Sequence, residues 1–290
     1  FKKKYFTEMV HFGDIPDEFC SKDTSRIVVL PIPYDGTSTW VKGSDKGPEA
    51  LLEASANMEL YDIETDTEVY LQGIYTAPAI IEKSSPEAMV SAAEEQTAEH
   101  LNSGKFVVTL GGEHSVSIGP IQAYAGRFKN LTVLQIDAHA DLRDSYEGSK
   151  NNHACVMARA QDVCPIVQVG IRSMDVGEKE RLDPSRVFWA HKIMDNDEWM
   201  GKAIDLLTED VYLTIDLDGL DPSILPSTGT PEPGGLMWYQ TLTFIRKMIE
   251  RKNLVGFDIV ELCPNPQEKS SDFTAAKLLY KILSYKFTKE

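Results

Sequence analysis

Seven short runs of apolar and β-branched residues punctuate the chain: "RIVVLPIP" at 26–33, "FVVTLGG" at 106–112, "LTVLQID" at 131–137, "PIVQVGIR" at 165–172, "RVFWAH" at 186–191, "VYLTIDLD" at 211–218 and "LVGFDIVEL" at 254–262. Most are nearly continuous. A strand with one wet face would alternate, so these runs read as parallel strands covered on both sides. Helical patterns lie between them. In "SPEAMVSAAEEQTAEHLNSG", Ser85 is placed as N-cap, Pro86 in the first turn and Gly104 as the stop. In "YQTLTFIRKMIERKN", Leu242, Ile245, Met248 and Ile249 form one apolar stripe, and "DFTAAKLLYKILSYKF" is a third helix. Strands alternating with helices predict an α/β chain with a doubly wound, mostly parallel sheet, whose ligand site lies beyond the carboxyl ends of the strands.

The 290 residues show no internal repeat or linker, so residues 1–290 are expected to form a single domain. Two long loops, "PYDGTSTWVKGSDKGPEA" and "DPSILPSTGTPEPGGL", have the length and composition of functional segments. No window is apolar enough to span a bilayer, and "FKKKYFTEMVHFGDIP" lacks the apolar core of a leader, so a soluble cytoplasmic protein is expected. The chain opens on Phe1, and its natural start is expected upstream. Cys20, Cys155, Cys164 and Cys263 show neither CxxC spacing nor the density of a secreted scaffold, and read as reduced thiols. Twenty-nine basic against 45 acidic residues give a formal charge of −16, which argues against nucleic acid and anionic membrane as partners.

Three of the apolar runs end in similar polar clusters. "FVVTL" leads to Glu113 and His114, "LTVLQI" to Asp137, His139 and Asp141, and "VYLTI" to Asp216 and Asp218. In an extended chain, alternate residues share a face, so Asp137, His139 and Asp141 are expected to converge. If the three strands are neighbours, four Asp and two His surround one small volume. Carboxylates gathered without a cation would repel one another. Oxygen-rich ligation with two imidazoles suits a borderline-to-hard divalent ion such as manganese. Four carboxylates balance two divalent ions, and six side chains are too many for one catalytic ion with open positions. A water shared by two such ions is acidified toward hydroxide near neutral pH, which makes the cluster hydrolytic.

The segments "GGEHS", "IDAHADLRDSYEG", "TIDLDGLDP" and "GTPEPGGL" resemble the signatures of the ureohydrolase family, which includes arginase, agmatinase, guanidinobutyrase and formiminoglutamase. The resemblance runs from about "PYDGTSTW" to "FDIVELCP" and covers most of the chain. It implies a three-layer α/β/α fold with two Mn2+ per subunit, and trimers or hexamers of like subunits. By position it makes His114, Asp137, His139, Asp141, Asp216 and Asp218 the metal ligands. It also makes His153 a proton shuttle, Asp141 the acceptor of the attacking hydroxide's proton, and Glu261 the holder of the substrate's cationic group. Asp258 is expected to orient neighbours, and Glu113 to stand behind a ligand.

Within the family, "LRDSYEG" is closest to agmatinase, because Arg143 stands where arginases usually carry an Asn that grips the substrate's carboxylate. The expected substrate is thus the small cationic guanidino compound agmatine, with putrescine and urea as products. If Asp144 or Glu147 faces the pocket, either would repel a carboxylate and attract a free amine. Guanidinobutyrase, arginase and formiminoglutamase share the metal core and stay as alternatives. A metal-dependent deacetylase would have no use for the pair Asp216 and Asp218, and a metal-holding protein without turnover would be expected to have lost some of the six ligands.

Overall fold

The computed structural model describes residues 11–194 and 196–288; the first ten residues of the N-terminal stretch read above lie outside them. Among these residues eight strands appear in chain order: β1 (Ile27–Ile32), β2 (Ile74–Thr76), β3 (Phe106–Gly111), β4 (Leu131–Ile136), β5 (Ile166–Ile171), β6 (Val187–Trp189), β7 (Asp210–Asp216) and β8 (Asn253–Val260). They form one sheet in the order β2-β1-β3-β8-β7-β4-β5-β6, with every pairing parallel. All seven apolar runs yield a strand. The run at 186–191 divides, because the chain turns into a short helix at Ala190, and the three-residue β2 has no counterpart among the runs.

Among the described residues eight helices cover the sheet: α1 (Gly47–Ser55), α2 (Pro86–Asn102), α3 (Ile118–Arg127), α4 (Val156–Gln161), α5 (Ala190–Ile193), α6 (Glu198–Asp205), α7 (Trp238–Arg251) and α8 (Ser270–Phe287). Leu51, Met200, Phe244 and Leu279, from α1, α6, α7 and α8, pack on one face with Leu110, Leu134 and Leu213. Met89, Ile121 and Met157, from α2, α3 and α4, pack on the other with Val107, Val133 and Tyr212. The result is a three-layer α/β/α architecture. Double coverage explains why the strand runs are apolar at consecutive positions. Helix α2 begins where expected: Ser85 Oγ accepts the N–H of Ala88, Pro86 occupies the first turn, and Gly104 lies just beyond the end with φ +75°.

Register brings the functional segments to one level. Leu110 pairs with Ile259, Asp216 with Val260, and Ile136 with Ile215, so four central strands end together. Strands β3 and β4 are not direct neighbours, since β8 and β7 lie between them. That insertion places Glu261 of the β8 end between the donors that follow β3 and those that follow β4 and β7.

Candidate metal centre

The six donors meet above the carboxyl ends of β3, β4 and β7. His114 Nδ1 lies 2.9 Å from Asp141 Oδ2, 3.2 Å from Asp137 Oδ2 and 3.5 Å from Asp216 Oδ2. His139 Nδ1 lies 2.9 Å from Asp218 Oδ2 and 3.7 Å from Asp137 Oδ1. Two groups therefore have the spacing of a metal shell: an inner one of His114, Asp137 and Asp216, and an outer one of Asp137, His139 and Asp218. Asp137 belongs to both, and Asp141 adds a further oxygen beside the inner group.

Convergence does not arise from a straight strand. Strand β4 stops at Ile136, and Asp137 turns the chain by accepting the N–H of His139 at 2.5 Å. Asp141 then takes left-handed backbone angles, φ +52°, while its carbonyl accepts the N–H groups of Met157 and Ala158. Glu261 is left-handed too, at φ +65°. Such conformations cost about 1–3 kcal/mol for residues other than glycine, and they persist where surrounding contacts over-determine them. The β7 loop comes close because position 219 is glycine. A Cβ there would meet the Asp137 backbone nitrogen at 2.8 Å.

The hydrogen bonds behind the donors fix which nitrogen of His114 faces the cluster. Asp258 accepts the hydroxyls of Tyr212 and Thr214, both at 2.7 Å. Thr214 Oγ1 is thereby left as acceptor for the Nε2–H of His114, at 2.9 Å. Nδ1 is then the nitrogen left to offer a lone pair to an ion; it is buried without a well-angled hydrogen bond and faces three carboxylate oxygens. Such surroundings call for a cation, a proton in the stripped protein or a metal ion, and the oxygen and imidazole donors fit a hard or borderline divalent ion. Gln135 Nε2 donates to Asp137 Oδ2 at 2.6 Å, and Gln168 Nε2 supports Gln135 Oε1 at 2.6 Å. Asp218 is held by the N–H of Ala138, at 3.1 Å.

Without ions the electrostatics are unfavourable. Burial, then the neighbouring Asp137, pushes the Asp141 carboxyl up to about 7. Asp216 rises well above the usual carboxylate range through burial and then Asp218 and Asp137. His139 is raised: burial opposes its charge, but Asp218 and Asp137 outweigh that. Each direction marks a site that wants more positive charge than the side chains supply.

Glu261 stands on the inner side of this cluster. Its Oε1 accepts the backbone N–H of His114 at 2.8 Å and its Oε2 accepts the Ser44 hydroxyl at 3.1 Å; burial, then Glu113, raises it to about 8. His153 lies in the same cleft, its N–H donating to Thr37 Oγ1 at 3.0 Å and its Nδ1 3.1 Å from the same oxygen. Burial, then the charges of His114 and His139, lowers it to about 4. Glu113, buried beside His114 in the chain, accepts the N–H and hydroxyl of Ser115.

The cleft encloses about 200 Å³, with Arg143, Tyr146, Asp175, Glu178 and Thr230 among its walls. Neither Asp144 nor Glu147 lines it. Asp144 is drawn outward by Arg159 and Arg181, at 3.0 and 2.7 Å, so the acid expected from that segment is supplied by Asp175 and Glu178 instead. Arg143 does reach the cleft, with its guanidinium over the Tyr146 ring and 3.9 Å from Asp175. Asp175 and Glu178 escaped sequence reasoning, although "RSMDVGE" follows a strand whose carboxyl end lies at the same level; Thr214 was signalled by polar residues at alternate positions of an apolar run.

A three-layer parallel α/β/α chain with paired His/Asp donor groups at the strand ends defines a binuclear metallohydrolase of the arginase type. Residues 25–284 match the Arginase family, and the chain belongs to that family. It is an agmatinase-like ureohydrolase, a hydrolase of amidine C–N bonds in a family that depends on a binuclear metal centre. It is 43% identical over 272 residues to N(1)-aminopropylagmatine ureohydrolase of Synechocystis sp., covering 90% of this chain and 89% of the relative. It is 33% identical to the agmatinase of Pyrococcus horikoshii, covering 88% and 90%. The crystal structure of the agmatine ureohydrolase of Thermoplasma volcanium superposes with a TM-score of 0.85 at 31% identity, covering 98% of this chain and 96% of that one.

Proposed function

We propose that this chain uses two Mn2+ ions to release urea from a guanidino group at the end of an aliphatic polyamine. Its preferred substrate is N(1)-aminopropylagmatine and its second is agmatine, yielding spermidine and putrescine respectively. The observation that carries the reading is the meeting of six metal-type donors, Glu261 and His153 in one cleft whose walls include Asp175 and Glu178. The order of the two substrates rests on the names of the more similar relatives: 43% and 38% identity to aminopropylagmatine ureohydrolases, against 33% to an agmatinase.

In this reading His114, Asp137, Asp141 and Asp216 would hold the inner ion, and Asp137, His139 and Asp218 the outer. When bound, the ions supply Lewis acidity and an activated water. Glu261 takes the guanidinium N–H groups through its remaining lone pairs, since each oxygen has so far accepted one donor. An arriving guanidinium favours the ionised form of this buried carboxyl. Asp141 takes the proton shed by the attacking water. Thr37 holds His153 from its Nδ1 edge, which leaves Nε2 to pass a proton to the departing amine.

Residues 1–290 act as one unit here, a reading supported by the single continuous sheet. We place the protein in the cytoplasm, assembled from like subunits as the resemblance implies; among the described residues no helix is long and apolar enough to cross a membrane. The test is urea release with manganese across N(1)-aminopropylagmatine, agmatine, arginine and guanidinobutyrate. The highest kcat/KM on arginine or guanidinobutyrate would overturn the assignment.

A further inference from the structure

Residues 228–236 were not expected to hold an ion, yet they touch the outer donor group at two points. Thr230 Oγ1 donates to Asp218 Oδ2 at 3.4 Å. Glu232 Oε1 lies 3.9 Å from His139 Nε2, across the ring from the Nδ1 that faces Asp218. Arg172, just beyond β5, joins the same two segments. It donates through Nη2 to the carbonyls of Asp218 and Glu232, at 2.5 and 2.8 Å, and through Nη1 to that of Gly170 at 3.0 Å. Among the described residues its hydrogen bonds all end on main-chain carbonyls, including Glu232 again through Nε at 3.3 Å. The guanidinium thus cross-links the backbone carrying Asp218 to the backbone carrying Glu232.

For either histidine to offer Nδ1 to an ion, its Nε2 must carry the proton, and a partner for that N–H fixes both tautomer and ring orientation. His114 has Thr214, backed by Asp258 and buried. The imidazole of His139 is 26% exposed, and the carboxylate facing its Nε2 is that of Glu232, itself 37% exposed. A side-chain rotation of about 1 Å brings the pair to hydrogen-bonding distance. We propose that Glu232, clamped by Arg172, is the positioning residue for His139 and sets ion affinity at the outer group without setting it at the inner one. This rests on the two-ion reading above, but the role is not one the sequence resemblance assigned.

The test is a titration of the metal-stripped full chain with Mn2+ alone, followed by calorimetry and by the EPR signal of free Mn2+. Wild type should take up about two ions. Glu232→Leu should weaken one of them about 10–100-fold, the cost typical of losing a ligand's outer partner, and leave the other within about twofold. Glu232→Gln, whose amide oxygen still accepts, should recover most of that loss. Two wild-type affinities in Glu232→Leu would overturn the inference, as would equal weakening of both. A raised KM with unchanged ion binding would overturn it too, assigning Glu232 to the substrate's tail. Uptake of one ion by wild type would instead overturn the two-ion reading, and this inference with it.

Discussion

Glu261 accepts the backbone N–H of His114 through Oε1 at 2.8 Å, which ties the group proposed to hold the guanidinium to the first donor of the inner metal group. The tie lets charge and structure be separated. Glu261→Gln keeps a carbonyl oxygen for the N–H but removes the negative charge that pairs with a cation. It should retain its metal content and lose about 10²-fold or more in kcat/KM, because a charge-assisted pair is replaced by a neutral contact. Activity within about twofold of wild type would remove Glu261 from the substrate site.

Asp218 reaches one donor group and Asp137 both, so their losses should differ. Asp218→Ala is expected to drop metal content from about two ions per chain to about one, with a loss of activity of at least about 10²-fold. Asp137→Ala should compromise both ions. Metal analysis after dialysis checks the pair, and full occupancy in Asp218→Ala would count against the ligand assignment.

The charge imbalance predicts how the metal-stripped protein responds to pH. Asp141 and Glu261 sit at about 7 and about 8 in the folded chain, above their unfolded values, so the folded state binds more protons. His114 and His139 are likewise raised and act in the same direction. His153 is lowered to about 4, so its own contribution is complete once the pH exceeds the ordinary histidine value. Stability of the stripped protein should therefore fall between about pH 6.5 and about pH 8.5, reading out as a Tm drop of several degrees. Manganese should abolish most of the drop by supplying the missing charge. A stripped protein whose Tm is flat or rises over that range contradicts these directions.

The sheet and the gathering of polar residues at three strand ends were legible in the sequence because both follow from local pattern. Continuous apolar runs mark doubly covered strands, and charged residues at the ends of β3, β4 and β7 have no packing role that would put them there. How the donors converge was less accessible. The alternation of Asp137, His139 and Asp141 suggested an extended chain, whereas β4 ends at Ile136 and a left-handed Asp141 completes the turn. The sequence marked Asp258 as an orienting residue, but its partners were hidden for a different reason. Thr214 and Asp258 are register partners across β7 and β8, and Arg172 meets Glu232 60 residues away, so tertiary pairing alone brings them together.

His153 offers a test of proton transfer apart from binding. His153→Ala should keep its ions and lower kcat by about 10²–10⁴-fold, the range for a positioned acid or base. Thr37→Val should give a smaller loss of the same kind, because Thr37 contacts both the backbone and the ring of His153. Turnover within about twofold of wild type in His153→Ala, at unchanged metal content, would make His153 a wall of the cleft and no more.

Substrate choice turns on the charges at the mouth. Among the described residues Arg143 is the one arginine or lysine in the cleft wall, but it lies over Tyr146 and 3.9 Å from Asp175, and Glu178 is buried close by, accepting the N–H groups of Leu142 and Asp175. A carboxylate arriving here would have to take Arg143 from Asp175 and would then face two acids. A protonated amine meets those acids directly. Discrimination of this kind is worth on the order of 10²-fold in kcat/KM. Agmatine should accordingly exceed arginine by at least about tenfold at neutral pH. Asp175→Asn should narrow that gap by weakening agmatine, while a neutral-tailed alkylguanidine should change by no more than about twofold. Equal loss on the charged and the neutral tail would show that Asp175 shapes the cleft and does not read the amine.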